Sequence, residues 1–181
     1  MFPKAHAAAY VIMALRIGWF KIHRPIYYYA GFFSRRCVQY NVNVMMGGWP
    51  SINARIKELD EKIANRSIST KESDEYATLL LALEMTARGF TFLPIDITKS
   101  DHRDFLVTED KKSLIIPFKA LESLGENTAK SIVEAREVSN FTSKKDVMRR
   151  TKINSTVFEK MDQLGVFGDL PEDDQLGLFN I

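Results

Sequence analysis

The stretch Leu121 to Arg136 reads LESLGENTAKSIVEAR. A short apolar segment enters a turn at Gly125, and a second helical pattern follows, with Ile132 and Val133 set toward a core. Gly125 tolerates a positive φ that most residues resist. Asn127 or Thr128 is placed to cap the second helix. Ala129 is small enough for two helices to approach closely. The N–H groups in a helix's first turn have no partner in the helix and carry partial positive charge, so an anion finds donors there. Lys130 adds a full charge in the same turn. The chemistry is recognition of a phosphate, with no bond made or broken.

The pattern, that of a helix-hairpin-helix unit, returns 29 residues on, where INSTVFEKM from Ile153 aligns with LGENTAKSI from Leu124. Asn154 replaces Gly125, and Asn is the next-best residue for positive φ. Phe158 falls on Ala129 and Met161 on Ile132. Between the copies lies NFTSKKDVMRR, with Phe141 as a buried plug and Ser143 as a helix cap. Two hairpins related in this way can straddle the two phosphate strands of a duplex minor groove. Lys144, Lys145, Arg149, Arg150 and Lys152 supply charge, and such contacts fix position without reading sequence. The candidate DNA-binding residues are Gly125, Asn127, Thr128, Lys130, Arg149, Arg150, Lys152, Asn154 and Ser155. The competing reading is a tandem helical core with ordinary turns.

The elements that must hold these turns are mostly helical. Residues 4–22 repeat apolar side chains every three to four positions, and the remaining faces are apolar too, which marks a helix that something covers. Pro25 suits the first turn of a second helix over 25–37. MMGGWPS reads as a loop. Residues 51–65 form an amphipathic helix, and Ser69 or Thr70 caps another over 71–88 that ends at Gly89. The stretch FTFLPIDITKSDHRDFLVTEDKKSLIIPF carries β-branched and aromatic clusters split by polar turns, hence two or three short strands. Helices then return over 118–123, 128–138, 143–150 and 155–164. The fold class is mainly α with a small β insertion.

The chain has 181 residues, 45% hydrophobic and 27% charged, with a single cysteine, Cys37. A disulfide framework is excluded and a reducing cytoplasm fits. The three histidines are scattered, so a zinc site is not expected. The net charge of +2 hides an asymmetry: residues 1–57 carry eight Lys/Arg and no acid, leaving 17 bases against 23 acids in the rest. A basic segment of that size points to a polyanionic neighbour, or to partner acids elsewhere in the chain. Arg16, Lys21, His23 and Arg24 interrupt the N-terminal apolar run before a membrane span accumulates, and no targeting segment is evident. A membrane-surface protein using residues 1–36 is the third reading to be weighed.

These residues resemble a known family. FPKAHAAAYVIMALRIGWFKIHRPIYYYAGFFSRRC is similar to the late fingers region of bacterial C-family replicative polymerases, closest to the Gram-positive PolC type. LPIDITKSDHRDFLV resembles a strand segment of that family, and LIIPFKALESLGENTAKSIVEAR its helix-hairpin-helix. QLGLF, Gln175 to Phe179, resembles its sliding-clamp-binding peptide. The likeness runs along the whole chain in order. Ser123 departs from it, standing where the hairpin usually has another glycine, and Gly177 stands where the peptide usually has Ser or Asp.

The resemblance implies a helical fingers remnant over 1–48, connecting helices over 49–90, a β segment over 91–117, a tandem helix-hairpin-helix domain over 118–168, and an extended, mobile clamp-binding tail over 169–181. Its clamp-binding residues are Gln175, Leu176, Leu178 and Phe179. Lys4 and His6 are implied near an incoming nucleotide or template. The expected partners are double-stranded primer-template DNA, a ring-shaped sliding clamp and the rest of the polymerase alpha subunit, with no membrane. The chain begins inside the fingers-like region, so a C-terminal piece, or the product of a truncated or split gene, is implied. No paired carboxylates suited to two-metal nucleotidyl transfer are found. The chain alone is therefore expected to bind rather than to polymerise, with no cofactor of its own; Mg²⁺ belongs to the full-length polymerase. The alternative is a free-standing helix-hairpin-helix accessory protein of DNA binding or repair.

Overall fold

A computed structural model describes residues 3–173. The N-terminal run forms α1 (Lys4–His23), and Pro25 at the first position of α2 (Pro25–Arg35) follows a break at Arg24. No residue of α1 is buried. Tyr10, Leu15, Trp19, Phe20 and Ile22 are each at least half exposed, and Tyr27 and Phe32 of α2 are partly so. The opposite side of α2 is core: Ile26, Tyr29, Ala30 and Phe33 are buried. The expected apolar helix is present, but only its successor is covered.

The end of a short helix and the start of a long one replace the loop expected at MMGGWPS. Asn41 caps α3 (Val42–Met46) by accepting from the Val44 N–H, and α4 (Gly48–Ala64) starts two residues after α3 ends. Gly48, at φ +65°, makes the bend between them, a conformation that only glycine adopts freely. Pro50 is tolerated because a helix's first turn needs no N–H donor there. A capping box at Ser69 and Glu72 begins α5 (Thr70–Ala87), as expected, and Gly89 at φ +84° ends it. Lys62 and Ser69 bind the Glu72 carboxylate and hold it down at about 2.

Three short strands, β1 (Thr91–Leu93), β2 (Leu106–Val107) and β3 (Ser113–Ile115), form a sheet in the order β1-β3-β2. β1 pairs parallel and β2 antiparallel to β3. The long connection after β1 is pinned by its own polar side chains. Asp96 accepts from Thr98, the buried Ser100 hydroxyl donates to the Ile116 carbonyl at 2.7 Å, and Asp101 accepts from the N–H groups of Arg103 and Asp104.

The end of α2 ties this sheet to the approach of the first hairpin. Phe33 meets Phe92 and Phe105 at 5.4 and 5.3 Å between ring centroids. The Ser34 hydroxyl accepts from the Phe105 N–H at 2.8 Å, and Lys119 donates to the Ser34 carbonyl at 2.6 Å. Lys119 sits on a 3-10 turn (Phe118–Ala120), itself bonded to the carbonyls of Asp101 and His102. Helices α6 (Glu126–Val138), α7 (Lys144–Arg150) and α8 (Ser155–Gln163) complete the described chain. One hydrophobic cluster runs from Ile26 to Phe167, so the first hairpin grows directly from the core that α2 shares with the sheet.

The basic N-terminal segment finds acids from later in the chain. Lys21 pairs with Glu84, Arg35 with Asp104, and Arg55 with Glu58 and the buried Glu75. The asymmetry in charge is thus partly internal, whereas Lys4, Arg16, Arg24, Arg36 and Lys57 form no ion pair among the described residues. No helix among the described residues is long and apolar enough to cross a membrane.

Candidate nucleic-acid interface

The first hairpin runs from the 3-10 turn through Leu121–Gly125 into α6. Gly125 is the N-cap of α6, at φ −68° and ψ 152°, and supplies no side-chain bond. It does not take the positive φ expected of it. Ser123 does, at +76°. The reason is positional: Gly125 must be extended to start a helix at Glu126, and the reversal is made two residues earlier. Asn127 and Thr128 consequently lie inside the first turn of α6 rather than capping it. The first-turn N–H groups thus receive no side-chain cap, and Gly125, Glu126 and Asn127 are exposed. Ala129 and Ile132 beneath them are fully buried, which brings α6 close against its neighbours.

The second hairpin repeats this arrangement at the same offset. Asn154, aligned with Gly125, is the N-cap of α8, at φ −90° and ψ 167°. It too avoids positive φ, and its side chain accepts from the Val157 N–H at 2.9 Å. Met161 is fully buried, like its counterpart Ile132. The alignment of the two copies is therefore right, although both glycine-like positions serve as extended N-caps. The N–H groups of Ser155 and Thr156 stay uncapped because Asn154 satisfies only that of Val157.

Ser131 locks the two turns together. Its buried hydroxyl donates to the Thr128 carbonyl at 2.8 Å and accepts from the Lys152 N–H at 3.0 Å. A second link is Lys160 of α8, which donates to the Ser123 hydroxyl at 3.1 Å. No periodicity marks Ser131, whose partner is 21 residues away. The unusual Ser123 was visible in the sequence as a departure, and the structure gives that position its function in the turn.

The basic residues divide by environment. Lys130 is half exposed and pairs with Glu126 at 2.8 Å, which holds the Glu126 carboxyl below its usual range. Lys152 is exposed. Arg149 is 71% exposed while pairing with Asp146 at 2.6 Å. Arg150 does not join them. Its guanidinium turns inward, binding Asp146 at 2.8 Å and the carbonyls of Ala135, Ser139 and Asn140, above the ring of the buried Phe141. It ties α7 to the end of α6. Burial would raise the Asp146 carboxyl, but Arg150, Arg149 and the Thr142 N–H outweigh it and hold the group below its normal range.

Ser143 caps α7 as expected, accepting from the Asp146 N–H at 3.0 Å. The preceding donors of α7 are met by the chain's own tail. The N–H groups of Lys144 and Lys145 donate to the carbonyls of Pro171 and Glu172 at 2.8 and 3.2 Å. The tail was expected to run free from residue 169. It is docked at least to Asp173, because a cap satisfies one donor and leaves the first two amides of α7 needing acceptors. Gln175, Leu176, Leu178 and Phe179 lie outside the described residues. Lys4 and His6 stand in the first turn of α1, His6 edge-on to Tyr10 at 4.6 Å. Among the described residues, no group of three or more His, Cys, Asp or Glu is placed to hold a metal ion.

Comparison with known proteins bears on this geometry. Residues 89–175 match the helix-hairpin-helix motif family. Over 180 residues the chain is 47% identical to the DNA polymerase III PolC-type of Streptococcus sanguinis (strain SK36) and to that of Streptococcus agalactiae (strain NEM316), and 46% identical to that of Streptococcus thermophilus (strain LMD-9). Each alignment covers 99% of this chain and 12% of the relative, so the chain spans about an eighth of their length.

Proposed function

The chain belongs to the PolC-type DNA polymerase III family, and from that premise we propose that it is the C-terminal part of such a polymerase, which grips duplex DNA behind the catalytic centre and carries the attachment to a sliding clamp. The observation that carries this reading is the pair of helix starts at Glu126 and Ser155, whose first two N–H groups receive no side-chain cap, coupled through Ser131 and flanked by Lys130, Lys152 and Arg149. Each turn offers backbone N–H donors, with partial positive charge, to one phosphate. Two turns held at fixed spacing suit the two backbones bordering a minor groove. Gly125, Asn127 and Thr128 form one cradle, and Asn154 and Ser155 the other. None of these contacts depends on base identity, as a replicative grip requires.

In this reading the exposed apolar face of α1 and α2 is covered by the rest of the polymerase, with Lys4 and His6 toward nucleotide or template. Polymerisation and its Mg²⁺ belong to the whole enzyme, in the cytoplasm, and this portion binds without catalysing. Residues 175–179 place Leu176, Leu178 and Phe179 in an apolar groove on the clamp while the Gln175 amide bonds at its rim. Anchorage on DNA threaded through the clamp then makes that second contact effectively intramolecular.

The test is duplex binding by the full chain, titrated at several salt concentrations and with unrelated sequences. Affinity falls steeply with salt and is the same for every sequence. Lys130→Glu together with Lys152→Glu weakens all sequences alike and flattens the log–log salt slope by about two, at ~0.9 for each phosphate that is no longer neutralised. A preferred sequence, or binding that survives the double reversal, overturns the assignment.

A further inference from the structure

The tail's contact with α7 is more than a cap. Three acids converge on two lysines: Lys144 pairs with Asp162 at 2.7 Å and with Glu172, and Lys145 pairs with Asp173. Those contacts raise the titration of both ammonium groups. The two backbone bonds to Pro171 and Glu172 lay this acidic stretch across the start of α7. Both lysines belong to the segment joining the two hairpins, next to where a duplex backbone would run. A Glu-Asp pair on that surface presents anionic oxygens to the same ammonium groups that a phosphodiester would use.

We propose that Glu172 and Asp173 are a built-in competitor of duplex phosphate for Lys144 and Lys145, so that DNA binding and release of the tail are coupled. The proposal rests on the duplex-binding reading above. In the free chain, the anchor keeps residue 173 on α7. Phosphate takes over the lysines when duplex arrives, Glu172 and Asp173 return to water, and the backbone bonds to Pro171 and Glu172 are left as the weaker part of the anchor. Coupling of this kind is reciprocal: whatever factor the docked tail costs in DNA affinity, bound DNA costs in tail docking. Lys144 keeps Asp162 in either state, so Lys145, whose only ion-pair partner among the described residues is Asp173, carries most of the effect.

The full chain is compared with a Glu172→Gln/Asp173→Asn variant in duplex binding at low salt. Exposed ion pairs have small individual energies, so affinity rises by about three- to tenfold. The matched control neutralises Glu159 and Asp169, exposed acids that pair with neither lysine. It moves affinity by much less if the competition is local. An equal rise in the control, or no rise in the variant, overturns the proposal. A second arm repeats the comparison in a Lys145→Gln background, where the gain from Glu172→Gln/Asp173→Asn shrinks because Asp173 no longer has an ammonium group to occupy. A gain of the same size in both backgrounds also overturns the proposal. If the unmodified chain fails to bind duplex at all, the duplex-binding reading falls and takes this proposal with it; if it binds but neither arm responds, only the competition falls.

Discussion

Ser131→Ala isolates the coupling between the two hairpin turns without touching any group proposed to meet DNA. The wild-type hydroxyl makes two bonds, donating to the Thr128 carbonyl and accepting from the Lys152 N–H. The Thr128 carbonyl remains in the α6 backbone ladder after the change. The Lys152 N–H has no such alternative, and Ser131 is 8% exposed, so water has little access from that side. A buried donor left unsatisfied costs about 1–2 kcal/mol. For a chain of this size, a loss of that order lowers the melting temperature by roughly 3–6 °C. The loss of duplex affinity should exceed what unfolding explains, because the second cradle, from Thr151 to Ser155, is no longer held in register with the first. About a threefold to tenfold loss results if roughly 0.7–1.4 kcal/mol of that cost served to preorganise the pair. The salt slope stays at the wild-type value, since every phosphate contact is still available. Calorimetry and duplex titration at 20 °C, where both proteins are folded, measure the two effects separately. An unchanged melting temperature would show that Lys152 does not depend on Ser131. A normal melting temperature drop with wild-type affinity would show that the turns act independently, and the tandem grip would be refuted.

Asp146→Asn removes the carboxylate that holds Arg149 and Arg150, and should destabilise the chain at neutral pH by about 3 kcal/mol, the cost of stranding a largely buried partner charge. Because the Asp146 carboxyl is held low in the folded state, its contribution is present at neutral pH and lost as pH falls through and below the usual carboxylate range, so wild type and variant converge in acid denaturation; a constant gap down to low pH would contradict this. Deleting residues 1–20 should reduce self-association of the isolated chain while leaving its melting temperature nearly unchanged, since α1 buries no residue. Deleting 1–36 should instead abolish cooperative folding, because Tyr29 and Phe33 leave the core with it; light scattering and thermal unfolding of both truncations decide. Leu178→Ala with Phe179→Ala should eliminate clamp binding in a pull-down with purified clamp and leave melting temperature and duplex affinity as they were; a drop of several degrees with clamp binding intact would mean those side chains pack on the chain's own fold.

Much of this protein was legible in its sequence, because the signals were local. Ser69 with Glu72, Ser143 with Asp146, Pro25 and Gly89 set helix ends through contacts within a few residues, and the helices appear close to where those residues place them. The 29-residue repeat was legible for the same reason: each copy is built from its own short turn and helix start. Backbone conformation within the turns was not. Gly125 was the obvious residue for a positive φ, yet Ser123 takes it, since the choice depends on where α6 must begin relative to the 3-10 turn that α2 and the Asp101–His102 loop hold in place. The fate of charges was likewise undecided. Arg149 and Arg150 are neighbours in sequence and equal in chemistry; packing of α7 on α6 leaves one largely in solvent and spends the other on three backbone carbonyls. Lys144 and Lys145 looked free for phosphate until the returning tail supplied their acids from 28 residues away. Sequence determines helix boundaries and repeats because caps and periodicity act over one or two turns. Which donor, charge or apolar face remains open is decided only when distant segments meet, since burial and ion pairing depend on what the fold brings alongside.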